Sequence, residues 1–586
     1  MKGIFAAAVA AAVWAAPTAA LAEPIPSDPA TSSPRAFEGS AAKSRRLDSP
    51  EPPRHPFMAP NGRSNLHNDA FQTDAYRGPG PLGRGTTVNS ASEVADCASV
   101  TFDSRGRIVT ICVGLQGPRL EVKDPRTLED LSSMTLPPRN PGGGNIFTDF
   151  SGGGYFYLDN RDRAIFATNS RHVFVVAVRP DGSLAKERDY DLTSAVPQGD
   201  KIVSALPDFS GRIWFVSAAG VVGSIDPASG TVRSRALGEE IANSFAVDDE
   251  GAVYVVTIRA LYRLEAGSDG SPRTVWREPY RNSGIAKPGQ SHAGSGTTPT
   301  VMSGRRIAIT DNADPMNVVV YRGARRAGGR RLICEQPVFR KGASATDQSL
   351  IAAGSSLIVE NNYGYAGPTA VMRGASTAAG LERVDVKKDG SGCRTIWRSR
   401  ETAPSVVPKL SLETGLVYTY TKPPRDDGVD AWYLTALNFC TGRTEYRRLG
   451  GTGLGHNNNY APVTLGPDGA AYVGVLGGLI RFADSVRPSG PPRSAQKGCE
   501  PKPRLRLVAR RARRSCKVVA RIGGEDKALI RRALFRAARG RAVRDRRTPF
   551  RRVLRAPSRR LRVRALARVR DGRLVRVSAR VRRCRR

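Results

Sequence analysis

The chain has 586 residues, too many for one compact domain of ordinary size, and a formal net charge of +38 at pH 7. Beyond the N-terminal region, the absence of any run of about 18 apolar residues excludes a membrane-spanning helix. No CxxC, GxSxG, HExxH or P-loop motif occurs in the sequence. The motifs therefore give no support for a zinc-thiolate protein, a serine hydrolase, a zinc protease or a nucleotide-binding protein.

The chain begins MKGIFAAAVAAAVWAAPTAALAEP, which joins one lysine, an alanine-rich apolar stretch and the triplet Ala20-Leu21-Ala22. This pattern predicts a cleavable secretory signal peptide over residues 1–22, with cleavage before Glu23. No cysteine follows the cleavage site to carry a lipid, since the first one is Cys97. We therefore expect a secreted or extracytoplasmic protein.

Residues 23–90 are rich in Pro, Ser, Gly and Arg and show little periodicity, as in SDPATSSPRAFEGS and RGPGPLGRGTT. Such a composition does not bury a core. We predict a flexible leader, with its last stretch available to add one strand to the next domain.

From residue 91 to residue 486 one phrase recurs: an apolar strand, a turn that carries glycine, and a second β-rich strand. The turn glycines are Gly106, Gly153, Gly211, Gly251, Gly304, Gly354, Gly415 and Gly469, at a mean spacing of about 52 residues. Further strands lie between these hairpins, which gives about four strands per period. Repeats of this kind predict an all-β fold in which residues 91–486 form a β-propeller, with eight blades favoured and seven as the alternative.

Eight cysteines in an exported chain favour disulfides over metal ligation. Cys97 and Cys112 flank a predicted hairpin that turns near Arg105, and they fall opposite one another across it. We expect a cross-strand disulfide between them. The sequence does not determine the pairing of Cys334, Cys393, Cys440 and Cys499.

After a linker over residues 487–502, the composition changes to strands that alternate arginine with apolar residues at period 2. The run RALFRAARGRAVRDRRTPFRRVLRA resembles bacterial immunoglobulin-like modules, in which a turn glycine is followed by an aspartate and a Pro-Phe pair. Here these residues are Gly540, Asp545, Pro549 and Phe550. The resemblance implies a small β-sandwich over residues 503–586, which a Cys516–Cys584 disulfide would suit.

The positive charge is concentrated in this C-terminal region. Residues 501–586 contain 31 arginines and three lysines against four acidic residues, a net charge of +30, so residues 1–500 hold only +8. A basic block of this size favours an anionic partner such as a cell-surface polymer. The alternative is a solvated strand face in an organism that favours arginine. Export argues against an intracellular nucleic-acid partner.

Acid and amide side chains follow three predicted second strands, about six to eight residues past the turn glycine. They are Asp159 and Asn160 in the second repeat, Asp311 and Asn312 in the fifth, and Glu360, Asn361 and Asn362 in the sixth. The propeller prediction places all of them on one face, and oxygen ligands without thiolates suit Ca²⁺. The sequence therefore predicts a metal site, against the alternative that each side chain only ties down its own turn.

Two histidines occupy near-equivalent places before predicted inner strands. His292 lies twelve residues before Gly304, and His456 lies thirteen before Gly469. Each is a candidate general base beside the predicted metal site. The alternative for both is a hydrogen bond within a loop.

The acid and Asn ligands resemble the gluconolactonase and paraoxonase group, whose members hydrolyse lactones and esters at a central Ca²⁺. The eight repeats and the turns DPASGTV and CTGRTEY resemble the quinoprotein dehydrogenase group, which binds pyrroloquinoline quinone through Ca²⁺. These resemblances imply Ca²⁺ as a cofactor and a small-molecule ligand at the propeller channel.

Two functions follow from these observations. The first is an exported propeller that binds a ligand or a surface, with its arginine-rich module on an anionic cell-surface polymer. The second is an enzyme at the channel, a Ca²⁺-dependent lactonase or esterase before a quinone-dependent dehydrogenase. We expect a monomer in either case.

Overall fold

A computed structural model describes residues 22–28, 33–93, 95–114, 117–138, 149, 151–486, 499, 503, 505–512, 515, 517–524, 527–538, 540–556, 560–569 and 574–584. These residues form two compact units, Met1–Cys499 and Glu500–Arg586. They contain 41 strands and three short 3₁₀ helices, at Pro368–Val371, Leu454–His456 and Lys527–Leu529. No helix among the described residues is both long and apolar enough to cross a membrane.

The N-terminal region supplies three strands: β1 (Phe37–Gly39), β2 (Ala75–Tyr76) and β3 (Thr86–Ser92). Four antiparallel sheets follow. Sheet 1 contains β4 (Ala95–Phe102), β5 (Ile108–Gly114), β6 (Gly117–Lys123) and β7 (Asp130–Thr135); sheet 2 contains β8 (Phe156–Leu158), β9 (Arg163–Ala167), β10 (His172–Val178) and β11 (Leu184–Asp191); sheet 3 contains β12 (Ile202–Pro207), β13 (Ile213–Ser217), β14 (Val221–Ile225) and β15 (Val232–Ala236); sheet 4 contains β16 (Ala246–Val247), β17 (Val253–Val256), β18 (Ala260–Ala266) and β19 (Pro272–Pro279).

Four more sheets complete the first unit. Sheet 5 contains β20 (Thr300–Met302), β21 (Arg306–Thr310), β22 (Asn317–Arg322) and β23 (Leu332–Pro337); sheet 6 contains β24 (Ile351–Ala353), β25 (Ser356–Glu360), β26 (Leu381–Val386) and β27 (Cys393–Ser399); sheet 7 contains β28 (Lys409–Ser411), β29 (Leu416–Thr421), β30 (Ala431–Asn438) and β31 (Thr444–Thr452); sheet 8 contains β32 (Val463–Leu465), β33 (Ala471–Val475) and β34 (Gly478–Asp484). Strands from the N-terminal region join two of these sheets: β1 and β2 lie at the two edges of sheet 7, and β3 lies at the outer edge of sheet 8.

The burial pattern of sheet 3 shows which of its strands are inner and which is outer. In sheet 3 the strands β12, β13 and β14 are buried throughout, whereas the last strand, β15, is mostly exposed. Four-stranded antiparallel sheets that are buried at the first strand and wet at the last are the blades of a propeller. The predicted all-β propeller fold is therefore confirmed.

The N-terminal region closes the ring of sheets. Strand β3 pairs antiparallel with β34 and supplies the outer strand of sheet 8, whose other strands lie almost 400 residues later. Strand β1 pairs with the outer edge of β31, and β2 pairs parallel with β28 at the inner edge of sheet 7. The sequence prediction allowed one added strand from this region, and the structure contains three.

Residues 55–76, which we call the central segment, contradict the prediction of a flexible leader. They are largely buried and bond to the first strands of five sheets. The backbone hydrogen bonds are Leu158 N to Ser64 O, Val247 N to Ala70 O, Val301 N to Phe71 O, Ala352 N to Thr73 O and Leu410 N to Asp74 O. The prediction was wrong here because its polar residues, which favour loops, find partners on inner strands instead.

A repeated aspartate turn joins the first two strands of several sheets. In sheet 3, Asp208 Oδ1 accepts bonds from the backbone N–H groups two and four residues later, and Gly211 sits at φ 95°. In sheet 2 the same turn begins at Asp159, with Asp162 at φ 57° in the glycine position. The turn predicted at Gly153 is therefore wrong. An aspartate takes the left-handed position that the sequence prediction assigned to glycine.

Three disulfides lie in the described part of the first unit. Cys97 pairs with Cys112 across β4 and β5, as predicted. Cys334–Cys393 joins the outer strands of sheets 5 and 6, and Cys440–Cys499 ties the turn after β30 to the end of the unit. Disulfides of this number are typical of proteins outside the cytoplasm. The predicted signal peptide lies almost wholly outside the described residues, as do Cys516 and nearly all of the predicted linker.

The second unit contains two antiparallel sheets. Sheet 9 contains β35 (Arg506–Arg511), β36 (Val518–Gly523) and β39 (Arg551–Leu554); sheet 10 contains β37 (Ile530–Ala537), β38 (Val543–Asp545), β40 (Leu561–Val569) and β41 (Leu574–Val581). Alternate residues of both sheets meet in one apolar core around Phe535, Phe550 and Val563. The period-2 pattern in the sequence correctly predicted strands with one buried and one wet face.

Candidate functional site

A small central cavity of about 50 Å³ lies where the first strands of the propeller sheets begin. Its wall comes from β4, from the residues that lead into the first strands of six other sheets, and from the central segment. The main lining residues are Ser99, Tyr155, Asn243, Thr298, Asp347, Val407, Tyr460 and His67. A cavity of this size holds water molecules or one small functional group, whereas whole drug-sized ligands need several hundred Å³.

His67 of the central segment is held at one side of its ring. Its Nδ1 lies 3.1 Å from both carboxylate oxygens of Asp74, and Ser349 Oγ lies 2.9 Å from the same nitrogen. Ser349 Oγ also donates to Asp74 Oδ2 at 2.9 Å. The other ring nitrogen, Nε2, is buried and has no hydrogen-bond partner among the described residues.

Asp74 is the charged centre of this group. The Lys409 ammonium forms a fully buried ion pair with it and donates to Leu66 O at 2.6 Å. Burial alone would raise the pKa of Asp74, but Lys409 and His67 outweigh it and hold that pKa below its usual range. Burial also lowers the pKa of His67. His67 is therefore neutral with its proton on Nδ1, so Nε2 is a hydrogen-bond acceptor.

Asp347 is the second acidic group at the cavity. Its Oδ2 accepts hydrogen bonds from Ser291 N at 2.9 Å and from Ser291 Oγ at 2.6 Å. Burial raises the pKa of Asp347 to about 7, although the two bonds from Ser291 oppose that shift. The carboxyl group consequently changes its charge near neutral pH.

The two histidines predicted from the sequence occupy different environments. His292 Nδ1 lies 2.8 Å from Ser291 Oγ, so a hydrogen-bonded chain links His292 through Ser291 to Asp347. His456 is buried, with Nδ1 2.9 Å from Thr452 O, and it packs against Gly451. Burial lowers the pKa of both rings. His292 thus connects to the cavity, whereas His456 makes the loop contact that was its alternative.

Asp311 follows β21 and is completely buried. Its Oδ1 accepts from the N–H groups of Ala313 and Asn317, and its Oδ2 accepts from Asn317 Nδ2 at 2.7 Å. Burial raises the pKa of Asp311 to about 6. The ammonium of Lys287, which donates to Ala313 O, supplies a positive charge beside it. The neighbouring Asn312 Nδ2 donates to Asn282 Oδ1 at 2.9 Å.

Glu360, Asn361 and Asn362 follow β25 in the next sheet. Glu360 Oε1 accepts from Asn362 Nδ2 at 2.8 Å, and burial raises the pKa of Glu360 well above its usual value. Asn361 Nδ2 donates to Ala343 O at 3.0 Å, so it joins the end of β25 to the connection between β23 and β24. No hydrogen bond in the described part of the chain joins this group to Asp311. A calcium ion shared by the two groups stays a prediction.

Asp159 and Asn160 do not lie with the other predicted ligands. They follow the first strand of sheet 2, so they stand at the turn face, opposite the ends of the second strands β21 and β25. Asp159 bonds to the backbone of its turn and to Arg163, and Asn160 donates to Pro56 O at 2.7 Å. The predicted placement of both residues was therefore wrong, because Asp162, which takes the glycine position of the turn, lies nine residues after Gly153.

One group of potential metal ligands converges within the described residues: Glu93, Cys97, Cys112 and Glu121. The two cysteines form a disulfide and offer no thiolate. The buried Lys123 ammonium forms ion pairs with both glutamates, at 2.9 Å for Glu121. This group is a buried ion-pair network that already contains its cation.

A larger cavity of about 300 Å³ lies at the turn face. It is bounded by residues 49–53, by Phe71 of the central segment and by the turns that contain Asp248, Gly304 and Gly354. Asp248 is engaged, since it accepts a hydrogen bond from Tyr254 at 2.8 Å. The space is roomier than the central cavity, and its wall carries charged side chains, among them Glu51, Asp249 and Arg305. Arg305 forms an ion pair with Glu250.

Sequence reasoning missed His67, Asp74 and Lys409. The first two lie in a region whose overall composition predicted disorder, and Lys409 is a single lysine before a strand. A local signal exists in the stretch NLHNDAFQTDAY, residues 65–76, which has no proline or glycine and differs from the Pro-, Ser- and Gly-rich chain around it. Only the tertiary structure pairs this stretch with Lys409.

No family model matches the chain. An uncharacterised protein of Archaeoglobus fulgidus is 28% identical over 325 residues, covering 50% of this chain. The match spans 62% of the length of that relative. At this identity and coverage the match does not establish a family.

Several solved structures resemble the chain. BamB from Moraxella catarrhalis is 14% identical, with 70% of this chain and 96% of that chain covered and a TM-score of 0.34. The computationally designed Ika8 protein is 10% identical, with 67% of this chain and 96% of that chain covered and a TM-score of 0.39. The extracellular domain of a putative hybrid two-component system, BT3049 of B. thetaiotaomicron, is 12% identical, with 83% and 72% covered and a TM-score of 0.28. Since these scores are below 0.5, the fold assignment rests on the sheets themselves.

Proposed function

We propose that the protein is an exported propeller that binds a small polar ligand at its central cavity. The observation that carries this proposal is that His67, whose buried Nε2 has no hydrogen-bond partner among the described residues, lines that cavity. Buried polar atoms are rarely left without a partner, so an exception beside a cavity points to a bound group that completes the hydrogen bond. The ligand supplies the missing partner.

The chemistry of the wall defines the ligand. Neutral His67 offers an acceptor at Nε2, and Asp347 offers carboxylate oxygens once it is ionised. Two acceptors around about 50 Å³ suit a hydrogen-bond donor such as a hydroxyl or an ammonium group. The rings of Tyr155 and Tyr460 line the same space and would pack against the carbon atoms of the ligand.

The architecture we propose has eight blades, one for each sheet of the first unit, followed by an immunoglobulin-like β-sandwich. The eight sheets of the described chain support the first statement. The common apolar core of sheets 9 and 10 supports the second. The three disulfides support export.

The binding proposal is tested by titration with glycerol and ethanolamine as donor probes and acetate as an acceptor-only probe. We expect the donor probes to bind and acetate not to bind. His67→Asn keeps a donor towards Asp74 but removes Nε2, so it should weaken binding about tenfold or more. His172→Asn changes a half-buried histidine paired with Asp189 and is the matched control. Equal affinities for both variants would contradict the proposal.

A second candidate function is hydrolysis with His67 as general base. Asp74 orients the ring through Nδ1 and leaves Nε2 available, which is the arrangement that activates a water molecule. A screen of small esters and lactones tests it. Turnover that is retained in His67→Asn would remove this candidate without touching the binding proposal, since binding is measured separately.

A further inference from the structure

The exposed face of sheet 10 carries an ordered array of arginines. Along β40 buried and exposed residues alternate, so that Arg562, Arg564 and Arg568 point to one side while Val563 and Ala567 enter the core. Several arginines of β37, β38 and β41 lie on the same side of the sheet. They include Arg532, Arg536, Arg544, Arg576 and Arg580.

The strand register places arginines directly opposite one another. Arg532 stands across from Arg568, and Arg562 stands across from Arg580. Like charges at such positions destabilise a sheet. The repulsion is visible at Arg532, whose pKa is lowered first of all by Arg568. If this face bound nothing, neutral residues at these positions would make the sheet more stable, because they would remove the repulsion between the facing arginines.

Among the described residues, no acidic side chain on this face offsets the array. The only acidic residue in the described part of the unit is Asp545, which is 1% exposed and faces the core side. It accepts hydrogen bonds from the backbone N–H groups of Arg547 and Arg551 and forms an ion pair with Arg552 at 3.0 Å. The positive field of the face is therefore directed to solvent.

The array is regular in two directions. Neighbouring strands lie about 4.8 Å apart, and alternate residues along a strand lie about 7 Å apart. Guanidinium groups bind phosphate oxygens through two parallel hydrogen bonds, which a lysine ammonium cannot do. A flat lattice of forked donors suits successive phosphate groups of an extended chain. The strong preference for arginine, 31 against three lysines in residues 501–586, agrees with this chemistry.

We infer that the exposed face of sheet 10 is the binding surface for a linear phosphodiester polymer of the cell envelope, held by arginines of neighbouring strands. The disulfides of the chain place it where such polymers occur, outside the cytoplasm. This surface is independent of the central cavity. The sequence predicted an anionic partner from composition, and the strand register now assigns a face to it.

The test measures binding of the full-length protein to poly(glycerol phosphate) over a range of salt concentrations. The variant Arg562→Gln/Arg564→Gln/Arg568→Gln/Arg580→Gln removes four charges from the face. The matched control, Arg506→Gln/Arg510→Gln/Arg521→Gln/Arg551→Gln, removes four exposed charges from sheet 9. We expect the face variant to bind at least tenfold more weakly, with a shallower dependence of log K on log salt, and the control to change far less.

Thermal unfolding shows whether the face variant is still folded, so that weaker binding is not mistaken for a loss of structure. The face variant should melt at the same temperature as the wild type or higher, because it relieves repulsion between Arg562 and Arg580. If both variants lost the same affinity for poly(glycerol phosphate), net charge alone would account for binding, and the inference would be overturned. A higher affinity for polyglutamate, for vesicles of anionic lipid or for single-stranded DNA than for poly(glycerol phosphate) would also overturn it.

Discussion

Ser349 Oγ lies 2.9 Å from Nδ1 of His67, a residue 282 positions earlier in the chain. One partner precedes the first strand of sheet 6, and the other belongs to the central segment. Together with the backbone bonds to inner strands, this contact makes the N-terminal region part of the propeller interior. The candidate site therefore depends on a segment that lies outside the repeat.

The central segment should resist proteolysis. Arg63 lies within it and donates to Asp103 O, whereas Arg54 and Arg77 flank it and are exposed. We expect trypsin to cleave the native protein after Arg54 or Arg77 and to spare Arg63, because cleavage needs a locally unfolded chain. Mass spectrometry of early fragments measures this. Cleavage at Arg63 as fast as at Arg54 would instead support the sequence-based prediction of a flexible leader.

Removing one partner of the buried Asp74–Lys409 pair should be costly. Asp74→Ala leaves the Lys409 ammonium buried without its counter-ion, so we expect a loss of about 3–5 kcal/mol in the free energy of unfolding. The double variant Asp74→Leu/Lys409→Met should recover much of that loss. Glu187→Ala, which breaks the exposed pair with Arg163, is the control and should cost at most about 1 kcal/mol. Denaturant unfolding at pH 7 gives all three values.

Asp347 should make stability depend on pH. Its pKa is about 7 in the folded protein, above the usual value of 3.8, because the group is buried. A raised pKa contributes stability that is complete below pH 3.8 and is lost as pH rises to about 7. Asp347→Asn should therefore stabilise the protein by up to about 4 kcal/mol at pH 8 and change little near pH 4. Unfolding curves for both proteins at the two pH values test this, and an equal effect at both would contradict it.

The effect of Ca²⁺ on the melting temperature distinguishes two roles for Asp311: a ligand of a shared calcium ion, or a side chain that only fixes its own loop. Its carboxylate already accepts three hydrogen bonds, and Lys287 provides a positive charge nearby. We expect dialysis against EDTA to leave the melting temperature of the wild type unchanged. A fall that Ca²⁺ reverses in the wild type, but not in Asp311→Asn, would instead establish the predicted shared ion. Asp159→Asn is the control on the opposite face.

Much of the fold was predictable because it repeats. Seven of the eight predicted hairpin turns occur where the turn glycine indicated, and Cys97 pairs with Cys112 as the hairpin required. The exception is sheet 2, where Asp162 takes the glycine position and the glycines before β8 are not the turn. A single sequence gives no way to prefer an aspartate turn over a nearby glycine turn, because both are good turn formers.

The sequence by itself determined the all-β class, the repeat, one disulfide and the alternation that puts arginines on wet strand faces. These are local properties, set by periodicity and turn chemistry within a few residues. Only the tertiary structure decided that residues 55–76 are buried, that Asp74 meets Lys409, and which arginines face each other across sheet 10. Such contacts join residues far apart in the chain, so they depend on packing and strand register, which no local pattern encodes.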